Sequence, residues 1–317
     1  GNFVGHLLVL RQGLLALKDN SIFTSRSLNG LLDIIEILQE KYPADENIIT
    51  VKNEILKHRH SPPVTLKQAI SAVNHLKDIS AIIISKGKVE NETTVHADWI
   101  ALYEAQLYDI ASDIYVLCPW ILLQTSSSKF DDLIAAIDFI PTLQQLTQIQ
   151  VNTLPKIKEY YKADNSTAEN QWLDTFVSSM LESARRAKER LYTIESIVAV
   201  CYENTVIDYE FLYSKTQRLL SIGYNAEEHR RDNSYYDLLA SESRLGAFVA
   251  IAQGKIPQES WFALGRQLSN TGPLPVLLSW SGSMFEYLMP LLVMPSYDNT
   301  LLDQTHKGIV LKQIEYG

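Results

Sequence analysis

Tyr236-Asp-Leu-Leu-Ala-Ser-Glu-Ser-Arg-Leu-Gly-Ala-Phe-Val-Ala-Ile-Ala-Gln-Gly254 places apolar side chains at Leu238, Leu239, Leu245, Phe248, Val249 and Ala252. Steps of three and four residues between them predict a helix over 237–253 that packs along one stripe. It opens on aromatic, turn-like ground at Asn233-Ser-Tyr-Tyr236. Asp237, Glu242 and Arg244 interrupt the first turns, so they are expected at the rim of whatever the helix packs into. One reading makes Asp237 the helix cap and Glu242–Arg244 a solvated charge pair. The other makes these groups part of a site.

Outward from this stretch, helical signals dominate. Apolar residues recur at helical spacing over Leu7–Leu17, Leu28–Leu38, Ile48–Leu56 and Leu66–Ile84, with Pro43 and Ser61-Pro-Pro63 as punctuation. The Ser25–Leu28 region and Thr65 offer N-caps. A long amphipathic stretch over 93–117 stops at Cys118-Pro119. Helices are expected near 129–138, 142–161 and 167–203, the last carrying internal charge pairs of Glu182 with Arg185 and Arg186. The period breaks at Tyr209-Glu-Phe-Leu-Tyr213 and Leu219-Leu-Ser-Ile-Gly-Tyr224, which flank Ser214-Lys-Thr-Gln217 and read as a β-hairpin. Helices at 258–266, 283–292 and 299–315 follow, with a short extended piece at Val276–Ser279. About ten helices joined by short turns make an all-α assembly of paired helices.

Composition narrows the chemistry. The chain has 317 residues, 46% apolar and 21% charged, which suits a large core in one or two domains. A formal charge of −9 argues against a nucleic-acid partner, because phosphate binding wants a basic face, and against contact with an anionic membrane surface. Neutral carbohydrate is compatible with it. Cys118 and Cys201 lie in apolar helical stretches and read as buried, reduced thiols. Apolar runs such as Ile82–Ile84 and Tyr287–Met294 are far short of a membrane span. The chain starts at Gly1 directly in a helix and ends at Gly317 after a helical run, so both ends are expected to be cut from something larger. No metal site is expected. His58 and His60 stand in a charged run before Pro62 and Pro63, and the other histidines lack ligand spacing. Gly5, Gly13 and Gly30 are isolated within helices and form no phosphate loop, so no cofactor is expected.

Carboxyl groups among aromatics carry the remaining signal. Breaking a glycosidic bond takes two carboxyl groups, one to protonate the departing oxygen and one to attack or to activate water. Glu242 and Glu286 are the candidates, with Glu286 weighed as a sugar-binding or supporting carboxylate. Sugars present flat C–H faces that stack on rings, and Trp280, Tyr224, Tyr235, Tyr236, Trp261 and Tyr287 cluster in the same third. Filling a core is the rival role for such a cluster. Trp280, between Ser279 and Ser281-Gly282, is the best platform, whereas Trp261 and Phe262 read as core, and Trp99 and Trp172 as structural. Arg244, Arg266, Asp303 and Gln304 could bond sugar hydroxyls or serve as surface and capping groups.

Six ordered stretches in this third resemble one family. They are Asp208-Tyr-Glu-Phe-Leu-Tyr213, Ser221-Ile-Gly-Tyr224, Asn233-Ser-Tyr-Tyr-Asp-Leu-Leu-Ala-Ser-Glu242, Trp261-Phe-Ala-Leu-Gly-Arg266, Leu278-Ser-Trp-Ser-Gly-Ser-Met-Phe-Glu-Tyr-Leu-Met-Pro290 and Thr300-Leu-Leu-Asp-Gln304. Together they are similar to the glycoamylase-like cyclisation domain of cyclic β-1,2-glucan synthases. Gly1-Asn-Phe-Val-Gly-His-Leu7 is similar to an earlier motif of that domain. Residues 20–205 contain no matching motif, only compatible helices.

The resemblance implies an (α/α)6 toroid with its cleft at one end, present here as an incomplete single domain over 1–317, truncated at both ends. The motifs lie in 208–317, a small β-hairpin near 209–224, and divergent or inserted helices over 43–98. It implies retaining transglycosylation that closes linear β-1,2-glucan into rings, with Glu242 at the family's catalytic position as nucleophile or acid/base. Family members continue past the residue matching Gly317 into a further Glu-bearing motif that supplies the partner carboxylate. Expected substrate contacts are Trp280, Glu286, Tyr236, Asp237, Arg244, Tyr224, Tyr287, Asn2, His6 and Gln304. The implied parent is a multi-pass inner-membrane protein with glycosyltransferase and phosphorylase-like domains, this segment being soluble on the cytoplasmic side. An inverting endo-β-1,2-glucanase on the same scaffold, or a non-catalytic glucan-binding or structural segment, are the alternative functions.

Overall fold

Among the described residues helix is the dominant state, and the strands form three two-stranded antiparallel ladders. The structure is a computed structural model that describes residues 1–89, 95–124, 127–269 and 274–316, excepting the side chains of 86–89 and 95–97. Residues 93 and 94, at the start of the helix expected over 93–117, and Gly317 lie outside the described residues. The chain divides into two compact units, Leu15–Glu195 and a second made of Gly1–Leu14 with Ser196–Gly317.

In the Leu15–Glu195 unit, α2 (Asn29–Lys41), α3 (Glu46–His60), α4 (Leu66–Val89) and α5 (Val95–Leu117) pack each on the next, and α2 also packs on α5. The expected periodicity is what drives this. Leu31, Ile35 and Leu38 of α2, Val51 and Ile55 of α3, and Leu66, Ala69 and Leu76 of α4 are fully buried at spacings of three, four or seven. Each large aliphatic side chain so removed from water contributes about 1.5–3 kcal/mol. Helix starts are set by side chains: the Asp45 carboxylate accepts from Asn47 N at 2.9 Å, and Thr65 Oγ1 accepts from Gln68 N at 3.2 Å. After α6 (Asp131–Ala135) comes α7 (Leu143–Lys158), opened by a Thr142–Gln145 capping box. Trp172 stacks between Phe130 and Phe176 at 4.7 and 4.9 Å. It lies on α8 (Thr167–Glu203), where Glu182 pairs with Arg185 and Arg186 as its spacing predicts. Cys118 is buried and free in this unit, as Cys201 is in the other.

The second unit begins with α1 (Asn2–Leu17) and takes the end of α8 before entering the hairpins. β1 (Tyr213–Ser214) pairs with β2 (Leu219–Leu220), β3 (Tyr224–Asn225) with β4 (Arg230–Arg231), and β5 (Leu268–Ser269) with β6 (Val276–Leu277). The hairpin expected near 209–224 is there, but shorter, because residues 210–212 turn rather than extend: the Tyr209 carbonyl accepts from Leu212 N and Tyr213 N. The β3–β4 hairpin was not legible in the sequence. The remaining helices are α9 (Ser243–Ala252), α10 (Glu259–Ala263), α11 (Met284–Leu288) and α12 (Leu301–Tyr316). Gly308 brings α12 against β6, since a Cβ there would lie 2.8 Å from Val276 Cγ1. Among the described residues no helix is long and apolar enough to cross a membrane.

The helix expected over 237–253 starts six residues later. Tertiary pairing claims the backbone before it: Leu239 N donates to the Gly265 carbonyl at 3.1 Å, and Gly265 N to the Asp237 carbonyl at 2.5 Å. Asp237 therefore does not cap α9, whose N-cap position is Glu242, with no side-chain bond. The stripe also differs. Leu245 and Val249 are buried with Val4 of α1, while Phe248 is exposed and meets Trp261 edge-on at 6.3 Å.

Candidate active site

Close backbone approach builds the site. A Cβ placed on Gly1 would lie 2.5 Å from Gly246 Cα, and one on Gly5 would lie 3.0 Å from the Leu245 side chain. Glycines four apart share one helix face, so α1 rests directly on the start of α9. Beside this contact is a pocket of about 340 Å³, at the small end of ligand-binding cavities. Its walls come from Gly1, from Asn2 and Phe3 at the start of α1, from Tyr209 and Leu212 near the turn before β1, and from Leu220 and Ser221 at β2. Tyr236, Glu242, Ser243 and Gly246 complete it.

Two residues that line it each carry a buried polar atom without a hydrogen-bond partner among the described residues, Glu242 at Oε2 and Tyr209 at its hydroxyl. Native interiors pair nearly all such groups, and leaving one unpaired costs about 1–3 kcal/mol. Five residues before Glu242, Asp237 Oδ1 is likewise buried and unpartnered. The turn ahead of α9 thus holds two carboxylates, each with one buried oxygen lacking a partner among the described residues.

Arg244 does not sit at a rim. It is 2% exposed, and its guanidinium donates to the carbonyls of Ser241 at 3.1 Å, Glu286 at 3.3 Å and Tyr287 at 2.7 Å, and approaches His306 Nε2 at 3.2 Å. Burial brings its pKa down to about 10, with the charge of Glu242 opposing. The solvated pair considered for Glu242–Arg244 is replaced by a buried cation that ties α9 to α11 and α12, because carbonyls at the end of α11 converge on its planar fork.

Glu286 is 6% exposed and holds a serine loop. Its Oε2 accepts from Ser281 Oγ at 2.6 Å, Ser281 N at 2.8 Å, Ser279 Oγ at 3.0 Å and Ser283 N at 3.3 Å. Burial pushes this carboxyl up, but the bonds from Ser281, Ser279 and Ser283 outweigh it and hold the group below its ordinary value. The loop turns at Gly282, with φ of +70°, and presents Trp280 at 59% exposure.

Of the other expected contacts, Asn2 and Tyr236 share the pocket with Glu242. His6 lies one turn beyond on α1, its Nδ1 2.8 Å from the Asn2 carbonyl. Tyr224 is exposed on β3 and packs edge-on against Phe211 at 5.5 Å. Tyr287 is buried, and its hydroxyl donates to the Leu277 carbonyl at 2.7 Å. Gln304 donates to Asp303 at 3.3 Å on α12. Sequence reasoning missed Tyr209, Phe3, Leu212 and Gly246. Tyr209 stood inside a quoted motif, and a hydroxyl on an otherwise apolar core ring was the available signal.

No family model matches the chain. Over 111 residues, 35% of its length, it is 49% identical to a protein named cyclic beta-(1,2)-glucan synthase NdvB, from Rhizobium meliloti (strain 1021). The matched stretch spans 4% of that synthase's own length. About a third of this chain is therefore related to a cyclic β-(1,2)-glucan synthase, in agreement with the resemblance carried by the motifs.

Proposed function

We propose that this chain belongs to the cyclisation part of a cyclic β-1,2-glucan synthase, and that Glu242 acts on a β-1,2-glucan chain seated in the pocket between α1 and α9. The observation that carries the reading is Glu242, a half-buried carboxylate with one oxygen lacking a partner among the described residues, which lines a pocket together with an aromatic residue, Tyr236. The (α/α)6 ring belongs to the same reading, as do glycosyltransferase and phosphorylase-like neighbours in a membrane-bound parent.

A β-linked chain closed into a β-linked ring keeps its anomeric configuration. Two successive inversions through a covalent glycosyl intermediate achieve this, and retaining enzymes of this kind hold their two carboxyl groups about 5–5.5 Å apart. Glu242 supplies one of the two. In a 1,2-linked chain the O2 of each internal sugar is already an ether, so binding must be drawn from more distant subsites. Ring closure also requires the chain's own terminal hydroxyl to outcompete water, which a held, curved chain favours by effective concentration.

The test is incubation of the complete domain, including the further Glu-bearing motif that the resemblance implies, and of its Glu242→Gln variant with linear β-1,2-glucan. Wild type should form rings without new reducing ends, and the variant should bind the glucan but leave it unchanged. New reducing ends in abundance would indicate a hydrolase. Binding without turnover by the wild type would indicate a glucan-binding segment.

A further inference from the structure

We propose that Phe3 is a stacking platform of the Glu242 pocket, its exposed ring taking the C–H face of a sugar bound there. This rests on the glucan reading above and deepens it by naming a surface that holds the sugar ring.

Helix α1 is anchored without this side chain. Val4 is fully buried with Leu245 and Val249 of α9, and Leu8 packs against the same cluster. Gly1 and Gly5 lie against Gly246 and Leu245, where a Cβ would crowd the contact. Phe3 stands about 100° round the helix from Val4 and remains 62% exposed. Exposed apolar side chains are ordinary, and Val9 and Leu10 of the same helix are exposed too. Position sets Phe3 apart from them. It lines the pocket that Glu242 lines, together with Tyr236, a second ring open to solvent, whereas Val9 and Leu10 do not.

The surfaces that line this pocket ask for a particular chemistry. The rings of Phe3 and Tyr236 offer apolar faces that a ligand can reach. Asn2, whose amide both donates and accepts, and Glu242, whose carboxylate accepts, are half-buried beside them. A neutral polyhydroxyl ring suits both kinds of group, because its C–H face packs on aromatic carbon while its edge hydroxyls donate and accept. A wholly apolar ligand would leave the polar groups without partners, and an anionic one would meet the like charge of Glu242.

The experiment compares wild type with Phe3→Ala, Phe3→Leu and Phe3→Trp in the complete domain used for the activity test. Linear β-1,2-gluco-oligosaccharides are titrated by calorimetry, and the ligand-free melting temperature is measured for each protein. Loss of the ring in Phe3→Ala should weaken binding by about three- to tenfold. The melting temperature should not move, because a ring left in solvent contributes little to the fold. Phe3→Leu, apolar but without a flat face, should bind more weakly than wild type, and Phe3→Trp should bind at least as well as wild type. An alanine or leucine variant with wild-type affinity would overturn the role of Phe3 and leave the glucan reading intact. So would a tryptophan variant as weak as alanine, or a fall of several degrees in the melting temperature of Phe3→Ala, which would make the ring structural. A wild type that binds no oligosaccharide would overturn the glucan reading and this inference with it.

Discussion

Arg244 Nη2 stands 3.2 Å from His306 Nε2, and both side chains are buried. A guanidinium has no acceptor, so Nε2 must accept and the imidazole proton belongs on Nδ1. The pair fixes one tautomer of a neutral histidine against Arg244, in the first turn of α9.

A pH dependence follows with a definite sign. Burial first, and then the neighbouring Arg244 charge, lower the His306 pKa, while the Asp303 charge and a hydrogen bond with the Tyr287 backbone act in the opposite direction. The unfolded chain takes up a proton below about 6.5, at a pH where the folded chain still refuses it. Stability from this group is complete above that value and is lost as pH falls beneath it. His58 is also lowered, chiefly by burial, and acts in the same direction, so the informative quantity is a difference between proteins. Urea midpoints at pH 7.5 and 5.5 should diverge less in His306→Gln, which keeps an acceptor for Arg244 but cannot titrate. An equal divergence in wild type and variant would refute the assignment.

The serine loop should depend on Glu286 in a way its position in the motif does not reveal. One oxygen of this carboxylate collects the hydroxyls of Ser279 and Ser281 and the amides of Ser281 and Ser283. Glu286→Ala would strand these donors, and hydrogen bonds to a charged group are worth about 1.5–3 kcal/mol. The expected loss of stability is about 2–3 kcal/mol, and Glu286→Gln should lose less. A denaturant titration checks it; an alanine variant as stable as wild type would show that the loop holds itself.

What could be read in advance follows from how local each signal is. The helices of the Leu15–Glu195 unit were legible because Leu31, Ile35 and Leu38, and their counterparts on α3 and α4, repeat at a period that depends only on the helix itself. The start of α9 was not. Its first turn is replaced by pairing of Asp237 and Leu239 with Gly265, a partner more than twenty residues away that no periodicity announces. Arg244 failed for a similar reason. An arginine near a glutamate reads as surface charge until the carbonyls of Glu286 and Tyr287 are seen to converge on it. At the site, the residue type of Glu242 was readable, and so were Asn2 and Tyr236. The pocket itself was not, since it depends on Gly1 and Gly246, far apart in the sequence, coming into contact.

That glycine contact carries the last prediction. Gly246 lies four residues after Glu242, on the same face of α9, and lines the same pocket. A single Cβ added at Gly246 would meet Gly1 Cα at 3.3 Å, a tight contact that a small shift of α1 can absorb. A leucine adds three further carbons, which must either enter the pocket or press α1 away from α9. Overpacking of this kind costs about 1–3 kcal/mol. Gly246→Leu should therefore melt lower than wild type and bind β-1,2-gluco-oligosaccharides more than about tenfold more weakly, which is a loss of over about 1.4 kcal/mol. Gly246→Ala should fall between the two in both measurements, as the graded control. A leucine variant that melts with wild type and binds the oligosaccharide as well would mean that the ligand does not occupy the space beside Gly246.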